Sequence, residues 1–180
     1  MKIAQISPLF ESVPPKLYGG TERVVSILTE GLIRNGHEVT LFASGDSKTS
    51  AQLVPICREA LRLSNIKDPC AEHLLQLAMV YDRADEFDLI HSHADYFTFP
   101  FAQKSATPTV TTLHGRLDMP ELQGIHRYYL SHPLISISDS QRAPFPFANW
   151  VGTVHHGLLM EQYRFYPEPG KYLAFLGRIA

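Results

Sequence analysis

The stretch Pro14-Pro15-Lys16-Leu17-Tyr18-Gly19-Gly20-Thr21-Glu22 decides the fold, because it joins a strand-like run to a helix-like one. Residues 2–7 before it have the apolar character of a buried strand, and the residues after it carry apolar side chains at helical spacing. Two glycines at such a turn let the backbone approach a ligand, and the helix directs its unpaired N–H groups into the same space. Phosphate suits this turn best, although a glycine pair alone also fits a merely flexible turn.

Beyond this stretch, short apolar runs alternate with segments that carry apolar residues at helical spacing. The alternation predicts a parallel β-sheet wrapped by helices, which is an α/β fold. Thr21 is expected to cap the first helix and Asn35-Gly36 to end it. The predicted strands are 2–7, 38–43, 53–56, 88–91, 109–113, 134–137 and 152–155, and two further helices are predicted at 72–84 and 121–130.

Composition restricts the class of protein. The chain has 180 residues, an apolar fraction of 44% and a formal charge of −2, which fit one globular domain and provide no basic surface for nucleic acid. The strand pattern starts at Lys2 without a signal-peptide cleavage site, and no apolar run approaches the roughly 18 residues of a membrane helix, so a cytoplasmic location is expected. Cys57 and Cys70 lack the spacing of a zinc site or a disulfide scaffold.

The last residues differ from what precedes them. Pro167 and Pro169 indicate a linker within 163–170, and a new apolar strand is predicted at 171–176. A parallel strand is normally followed by a crossover helix, and none follows here. We therefore expect one domain at 1–166, and at 167–180 an interdomain linker with the first strand of a second domain. An unmatched apolar strand would also favour self-association.

Five motifs occur in order at spacings typical of one enzyme family. They are Pro-Pro-x-x-Tyr-Gly-Gly-x-Glu from Pro14, Gly-His-x-Val-x-Leu from Gly36, Asp-Leu-Ile-His-Ser-His from Asp88, Thr-x-His-Gly from Thr112 and Phe-Leu-Gly-Arg-Ile from Phe175. Over nearly its whole length the chain resembles the amino-terminal half of retaining glycosyltransferases of the GT-B fold, of the group 1 or family four kind. The resemblance implies a Rossmann-like, doubly wound parallel sheet that forms one half of a GT-B fold.

The resemblance also implies an activity. In that family two Rossmann-like domains face each other across a cleft, and the amino-terminal one mostly holds the acceptor while the other holds most of the nucleotide sugar. The chain is therefore expected to take part in transfer of a sugar from a nucleoside diphosphate sugar to an alcohol acceptor, with retention and without a metal or other cofactor. Little activity is expected without the partner domain, and a lipid acceptor would add peripheral membrane association.

Residues of the donor site are implied position by position. Gly19 and Gly20 match family glycines whose backbone approaches the donor diphosphate, and Arg178 matches an arginine that clamps it. Tyr18 and Glu22 flank the glycines and would line the acceptor or donor pocket. A first-turn glutamate is also favoured by the helix dipole alone, so a structural role for Glu22 stays open.

Further candidates follow the predicted strand ends. His114 matches a histidine beside the transferred sugar, where it polarises a hydroxyl or stabilises developing oxocarbenium charge; a structural role is the alternative. If the strand continues, its period of two places three side chains on one face, which are His91, His93 and Asp95. This arrangement fits a metal site, the wall of the cleft or a structural role. The cleft is favoured over a metal, because GT-B enzymes generally need none. Ser138 would reach an acceptor hydroxyl or cap the next helix.

One segment departs from the family pattern. The family often has Val-x-Asn-Gly followed by an apolar residue and Asp, whereas this chain has Val154-His155-His156-Gly157-Leu158-Leu159, so contacts to the acceptor or at the hinge are expected to differ. Two other interpretations remain at this point. The chain could be a non-catalytic binding half that pairs with a separate donor-binding subunit or self-associates, or a sugar-nucleotide epimerase, for which no suitable pair of carboxylates is evident.

Overall fold

The computed structural model describes residues 1–62, 64–162 and 164–175, and these form a parallel sheet flanked by helices. The strands are β1 (Lys2–Ile6), β2 (Glu38–Ala43), β3 (Gln52–Pro55), β4 (Leu89–Ser92), β5 (Thr109–Thr112), β6 (Leu134–Ser136) and β7 (Trp150–Thr153). The helices are α1 (Gly20–Arg34), α2 (Pro69–Tyr81), α3 (Phe99–Ala102) and α4 (Leu122–Tyr128). In this part of the chain, no helix has the length and apolarity needed to cross a membrane.

Helices cover both faces of the sheet. Leu41 and Ala43 of β2 cluster with Val25 of α1, whereas Phe42 belongs to a separate cluster with Leu77 of α2. Because successive side chains of a strand point to opposite faces, α1 and α2 lie on opposite sides of the sheet. The predicted α/β fold with a doubly wound parallel sheet is therefore confirmed.

The strand order creates a crevice beside β1. Strands are arranged β3-β2-β1-β4-β5-β6-β7, and every neighbouring pair is parallel. The chain thus extends from β1 toward one edge of the sheet and then returns to place β4 on the other side of β1. In open α/β sheets, ligands bind outside the carboxyl ends of the strands at such a reversal point. Residues that follow β1 and β4 are therefore well placed to form a site.

The first helix begins differently from the prediction. Gly20 is its first residue and Gly19 occupies the N-cap position, with no side-chain hydrogen bond. The predicted Thr21 cap is therefore wrong: Thr21 lies inside the helix, because the glycine pair turns the chain two residues earlier than a Thr21 cap would. The predicted end is confirmed, since Asn35 is the C-cap and Gly36 follows with a φ of +83°.

Other boundaries also shift. Helix α2 begins at Pro69 because the Asp68 side chain accepts a hydrogen bond from the Cys70 N–H at 3.0 Å, which caps the helix three residues before the predicted start. Strand β7 begins at Trp150, two residues earlier than predicted, and helix α3 was not predicted at all. Residues 164–175 carry no helix or strand, and Leu176 lies outside the described residues, so the terminal strand stays a prediction.

Candidate functional site

A cavity of about 440 Å³ opens at the carboxyl ends of β1, β4 and β5. It lies at the reversal point of the sheet, where ligands bind in related architectures. Its wall includes seven of the residues predicted from the sequence, which are Tyr18, Gly19, Gly20, Glu22, His93, Asp95 and His114. The glycine turn and the candidate histidine His114 therefore share one cavity, although at least 94 positions separate them along the chain.

The two glycines of the turn have different roles. Gly19 has a φ of +144°, and a Cβ added there would lie 2.7 Å from the Pro15 Cβ. Gly20 has no such restriction, because an added Cβ would meet no atom within 4 Å. Glycine is thus needed at 19 to form the turn, while at 20 it leaves open backbone at the first residue of α1, on the cavity wall.

Charged side chains stand on both sides of this turn. Glu22 is buried, and its burial raises the pKa of its carboxyl, with Glu11 adding to the effect. Arg62 forms an ion pair with Glu11 and places its guanidinium 5.1 Å from the centre of the Tyr18 ring. Sequence reasoning missed Arg62, because it belongs to no motif and lies in an irregular segment. Arg62 brings a positive charge to a cavity wall whose acidic side chains are Glu22 and Asp95.

Three histidines from three strand ends form a row along the cavity. His93 Nδ1 lies 2.8 Å from His114 Nε2, and His114 Nδ1 lies 3.1 Å from His156 Nε2. Burial lowers the pKa of His114 to about 3 and that of His93 well below its usual range, and neighbouring histidines add to both effects. These rings are therefore neutral at physiological pH, so each has one N–H donor and one acceptor nitrogen.

Buried polar groups continue the row into the sheet. His93 Nε2 lies 3.1 Å from Gln5 Oε1, and the Gln5 amide nitrogen lies 3.4 Å from His91 Nδ1. His91 Nε2 in turn lies 2.8 Å from the Thr112 hydroxyl. The rings of His91 in β4 and of His93 just after it do lie side by side, with centroids 4.4 Å apart, as the period of two predicts. His91 lies behind the cavity wall, where burial lowers its pKa to about 4.

Asp95 lies beyond the end of the strand on which the period of two depends. Strand β4 ends at Ser92, and Asp95 has a φ of +49°, which turns the chain into a short 3-10 segment. Its carboxyl lines the cavity, and burial raises its pKa to about 6. An unusual backbone conformation combined with a carboxyl held in a cleft is characteristic of binding sites.

Two other candidates do not line this cavity. The Ser138 hydroxyl accepts a hydrogen bond from the Gln141 N–H at 3.2 Å, which is the capping role given as its alternative. Arg178 lies outside the described residues, so its role stays a prediction. Within the part of the chain that is described, no group of three or more His, Cys, Asp or Glu side chains is arranged to hold a metal ion.

Three solved structures with the same architecture are GT-B glycosyltransferases. The chain superposes on AviGT4, a glycosyltransferase involved in avilamycin A biosynthesis, with a TM-score of 0.62 at 21% identity, covering 91% of this chain and 44% of that one. For sucrose-phosphate synthase from Thermosynechococcus elongatus the TM-score is 0.57 at 14% identity, with 85% and 47% covered. For MurG from Acinetobacter baumannii it is 0.55 at 11% identity, with 93% and 50% covered.

These likenesses define the class: the chain is a Rossmann-like α/β unit of the kind that makes up one half of a GT-B glycosyltransferase. It spans about half the length of each of these three proteins. The sequence model of Glycosyltransferase Family 4 matches residues 18–179, so the chain belongs to that family. None of the curated protein sequences compared with the chain matches it.

Proposed function

We propose that this chain is the acceptor-side half of a retaining glycosyltransferase that moves a sugar from a nucleoside diphosphate sugar to an alcohol acceptor. Family membership supports glycosyl transfer in general. The observation that carries the specific proposal is the single cavity that contains both the Gly19-Gly20 turn and His114. A group bound at the turn would place the sugar attached to it beside the histidine row.

Binding of the diphosphate is assigned to the start of α1. The helix has 15 residues, so its N-terminus carries unpaired N–H groups and a positive partial charge. Gly20 exposes its backbone there with no side chain in the way. Arg62 adds a positive charge on the cavity wall. Arg178 is proposed to clamp the diphosphate, which is the role of the matching arginine in the family.

Catalysis is proposed to rest on stabilisation of the departing diphosphate. Backbone N–H groups and arginines offset its negative charge, so we propose that the reaction needs no metal. His114 lies next to the place assigned to the sugar. Because these charges come from both sides of an interdomain cleft, the chain on its own is proposed to have at most weak activity.

Inorganic pyrophosphate tests the anion site directly. We expect it to shift the backbone amide signals of Gly19 and Gly20 in NMR titrations of the ¹⁵N-labelled chain. Gly20→Asp adds a negative charge at a position where a helix tolerates aspartate and where no atom obstructs the side chain. This variant should bind pyrophosphate at least about tenfold more weakly than its neutral match Gly20→Asn, because like charges repel across the turn.

Two results would contradict the proposal. One is equal pyrophosphate affinity of the Asp and Asn variants, since it would place the anion away from the turn. The other is robust sugar transfer or hydrolysis by the isolated chain with a panel of nucleoside diphosphate sugars, since it would remove the need for a second domain.

A further inference from the structure

His156 occupies the position at which the chain departs from the family pattern. In the motif Val-x-Asn-Gly it replaces the asparagine, and it follows β7 at the carboxyl edge of the sheet. Its ring stacks on His114 with centroids 5.2 Å apart and planes at 29°. The side chain is on the wall of the cavity. The departure from the pattern therefore alters the cavity itself.

The buried end of the histidine row determines which nitrogens carry hydrogens. Gln5 is fully buried, and its carbonyl oxygen, which can only accept, faces His93 Nε2 at 3.1 Å. His93 is neutral, so with its hydrogen on Nε2 its Nδ1 is an acceptor. The hydrogen in the 2.8 Å contact between His93 Nδ1 and His114 Nε2 must then come from His114.

The same reasoning continues outward to the cavity. His114 is neutral with its hydrogen on Nε2, so its Nδ1 accepts the hydrogen bond from His156 Nε2 at 3.1 Å. Both ring nitrogens of His114 are then occupied by other histidines. His156 has its hydrogen on Nε2 as well, and its Nδ1 is left as an acceptor with no hydrogen-bond partner among the residues that the structure describes.

The hydrogen bonds at the inner end of the row run in the same direction. With its oxygen toward His93, the Gln5 amide directs its N–H at His91 Nδ1, 3.4 Å away. His91 then donates from Nε2 to the Thr112 hydroxyl at 2.8 Å. Every donor between the cavity and the sheet thus points inward. A single buried amide, that of Gln5, sets this direction for the whole row.

We propose that His156 is a ligand-contacting residue whose Nδ1 accepts a hydrogen bond from a sugar hydroxyl, and that Gln5 and His93 are positioning residues that fix this tautomer through His114. An unprotonated ring nitrogen binds a hydroxyl, which donates, and not a phosphate oxygen, which accepts. The choice of a sugar as the hydroxyl compound rests on the proposed function, whereas the tautomers rest on the orientation of the Gln5 amide, with its oxygen toward His93 and its nitrogen toward His91.

The tautomers can be measured in the wild-type chain without any ligand. Long-range ¹H–¹⁵N spectra of the ¹⁵N-labelled protein distinguish protonated from unprotonated ring nitrogens, and we expect hydrogen on Nε2 of His93, His114 and His156. His73 is an internal reference of opposite type: its Nε2 accepts from the Leu9 N–H, and its Nδ1 donates to the Pro69 carbonyl. Hydrogen on Nδ1 of His114, or two exchanging forms of it, would overturn the proposal.

A variant tests whether Gln5 sets the direction. Gln5→Met keeps the side-chain length but removes the carbonyl acceptor, so His114 should change from one tautomer to a mixture while the His73 signals stay unchanged. An unaltered single tautomer of His114 would assign its orientation to something other than Gln5 and would overturn the positioning role. If the variant does not fold, the wild-type spectrum still decides the direction of the row.

Sugar binding is tested with methyl glucoside, galactoside and mannoside. We expect at least one of them to shift the His156 Nδ1 signal, and His156→Ala to weaken its binding about five- to tenfold, as for one lost hydrogen bond. His155→Ala is the matched control, because that neighbouring exposed histidine is not on the cavity wall. Equal loss in both variants would overturn the assignment.

The two proposals fail in different ways. If pyrophosphate shifts the glycine amides but no methyl glycoside affects His156, the contact proposed for His156 is wrong and the proposed function stands. If neither compound binds, the proposed function fails together with this contact. The tautomer spectra of the wild-type chain and of Gln5→Met still report separately on the positioning role of Gln5.

Discussion

The glycine turn provides the sharpest test of the structure. In Gly19→Ala the added Cβ would lie 2.7 Å from the Pro15 Cβ and 3.1 Å from both the Glu11 Cγ and a Glu22 carboxylate oxygen. Carbon atoms normally approach no closer than about 3.5 Å, so the buried Pro15 must move. The φ of +144° is in addition one that alanine rarely adopts.

The expected cost follows from these two contributions. Backbone strain at such a φ is worth about 1–3 kcal/mol, and overpacking against a neighbour adds a similar amount. We expect Gly19→Ala to lower the free energy of unfolding by about 2–6 kcal/mol, which corresponds to a fall in Tm of roughly 6–18 °C for a chain of this length. Native domains have only about 5–15 kcal/mol of stability in total, so the effect is large.

The adjacent glycine supplies the control. In Gly20→Ala the new Cβ meets nothing within 4 Å, and alanine favours the helix more than glycine does, so stability should be unchanged or rise by up to about 1 kcal/mol. Both variants can be compared by urea unfolding followed by circular dichroism. If the two free energies of unfolding agree within about 0.5 kcal/mol, the tight turn described for Gly19 is wrong.

Two further predictions concern buried polar side chains. Gln76→Leu should cost about 1–2 kcal/mol in urea unfolding, because the Ser7 carbonyl loses the Gln76 amide donor at 2.8 Å. The Phe42 carbonyl, 3.0 Å from the same amide, keeps the Ser7 N–H, and the substitution also removes a buried Gln76 Oε1 without a partner among the described residues. A cost no larger than that of the exposed Gln103→Ala would contradict this. Burial lowers the pKa of His126 from its ordinary 6.5 to about 4. Between pH 6.5 and pH 4 the unfolded chain therefore binds a proton at His126 that the folded chain does not, so the free energy of unfolding falls as the pH drops through this range. His126→Leu removes that proton uptake, and it also removes a buried Nδ1 without a partner among the described residues. The stabilising effect of the substitution should therefore be larger by about 2 kcal/mol near pH 5 than near pH 7.5. An equal effect at both pH values would argue against the mechanism.

Much of the fold could be predicted because it depends on local patterns. The alternation of apolar runs indicated the parallel sheet, and the Asn35-Gly36 end of α1 follows from glycine's access to positive φ. Boundaries were less predictable where two local signals compete. At the start of α1, Thr21 is a good cap by composition, but the glycine pair turns the chain two residues earlier, so that Gly19 is the N-cap.

Part of the site was predictable for a related reason. Parallel strands bring their carboxyl ends to one edge of the sheet, so residues just after β4 and β5 were expected near the glycine turn, and His93 and His114 lie there. Arg62 could not be found this way, because an irregular segment has no period that specifies where its side chains point. The position of Asp95 could not be derived from a period of two, because the strand ends at Ser92 and Asp95 has a φ of +49°.

The amino-acid sequence by itself determined the α/β class, the glycine turn and the set of polar residues at the strand ends, because each depends on neighbours a few positions away. Only the tertiary structure decided that Gln5, His93, His114 and His156 form one row of hydrogen bonds with a single direction. A hydrogen bond depends on tenths of an ångström between atoms that come from four different strands or their ends. That geometry exists only once the sheet has set its register and both faces have packed.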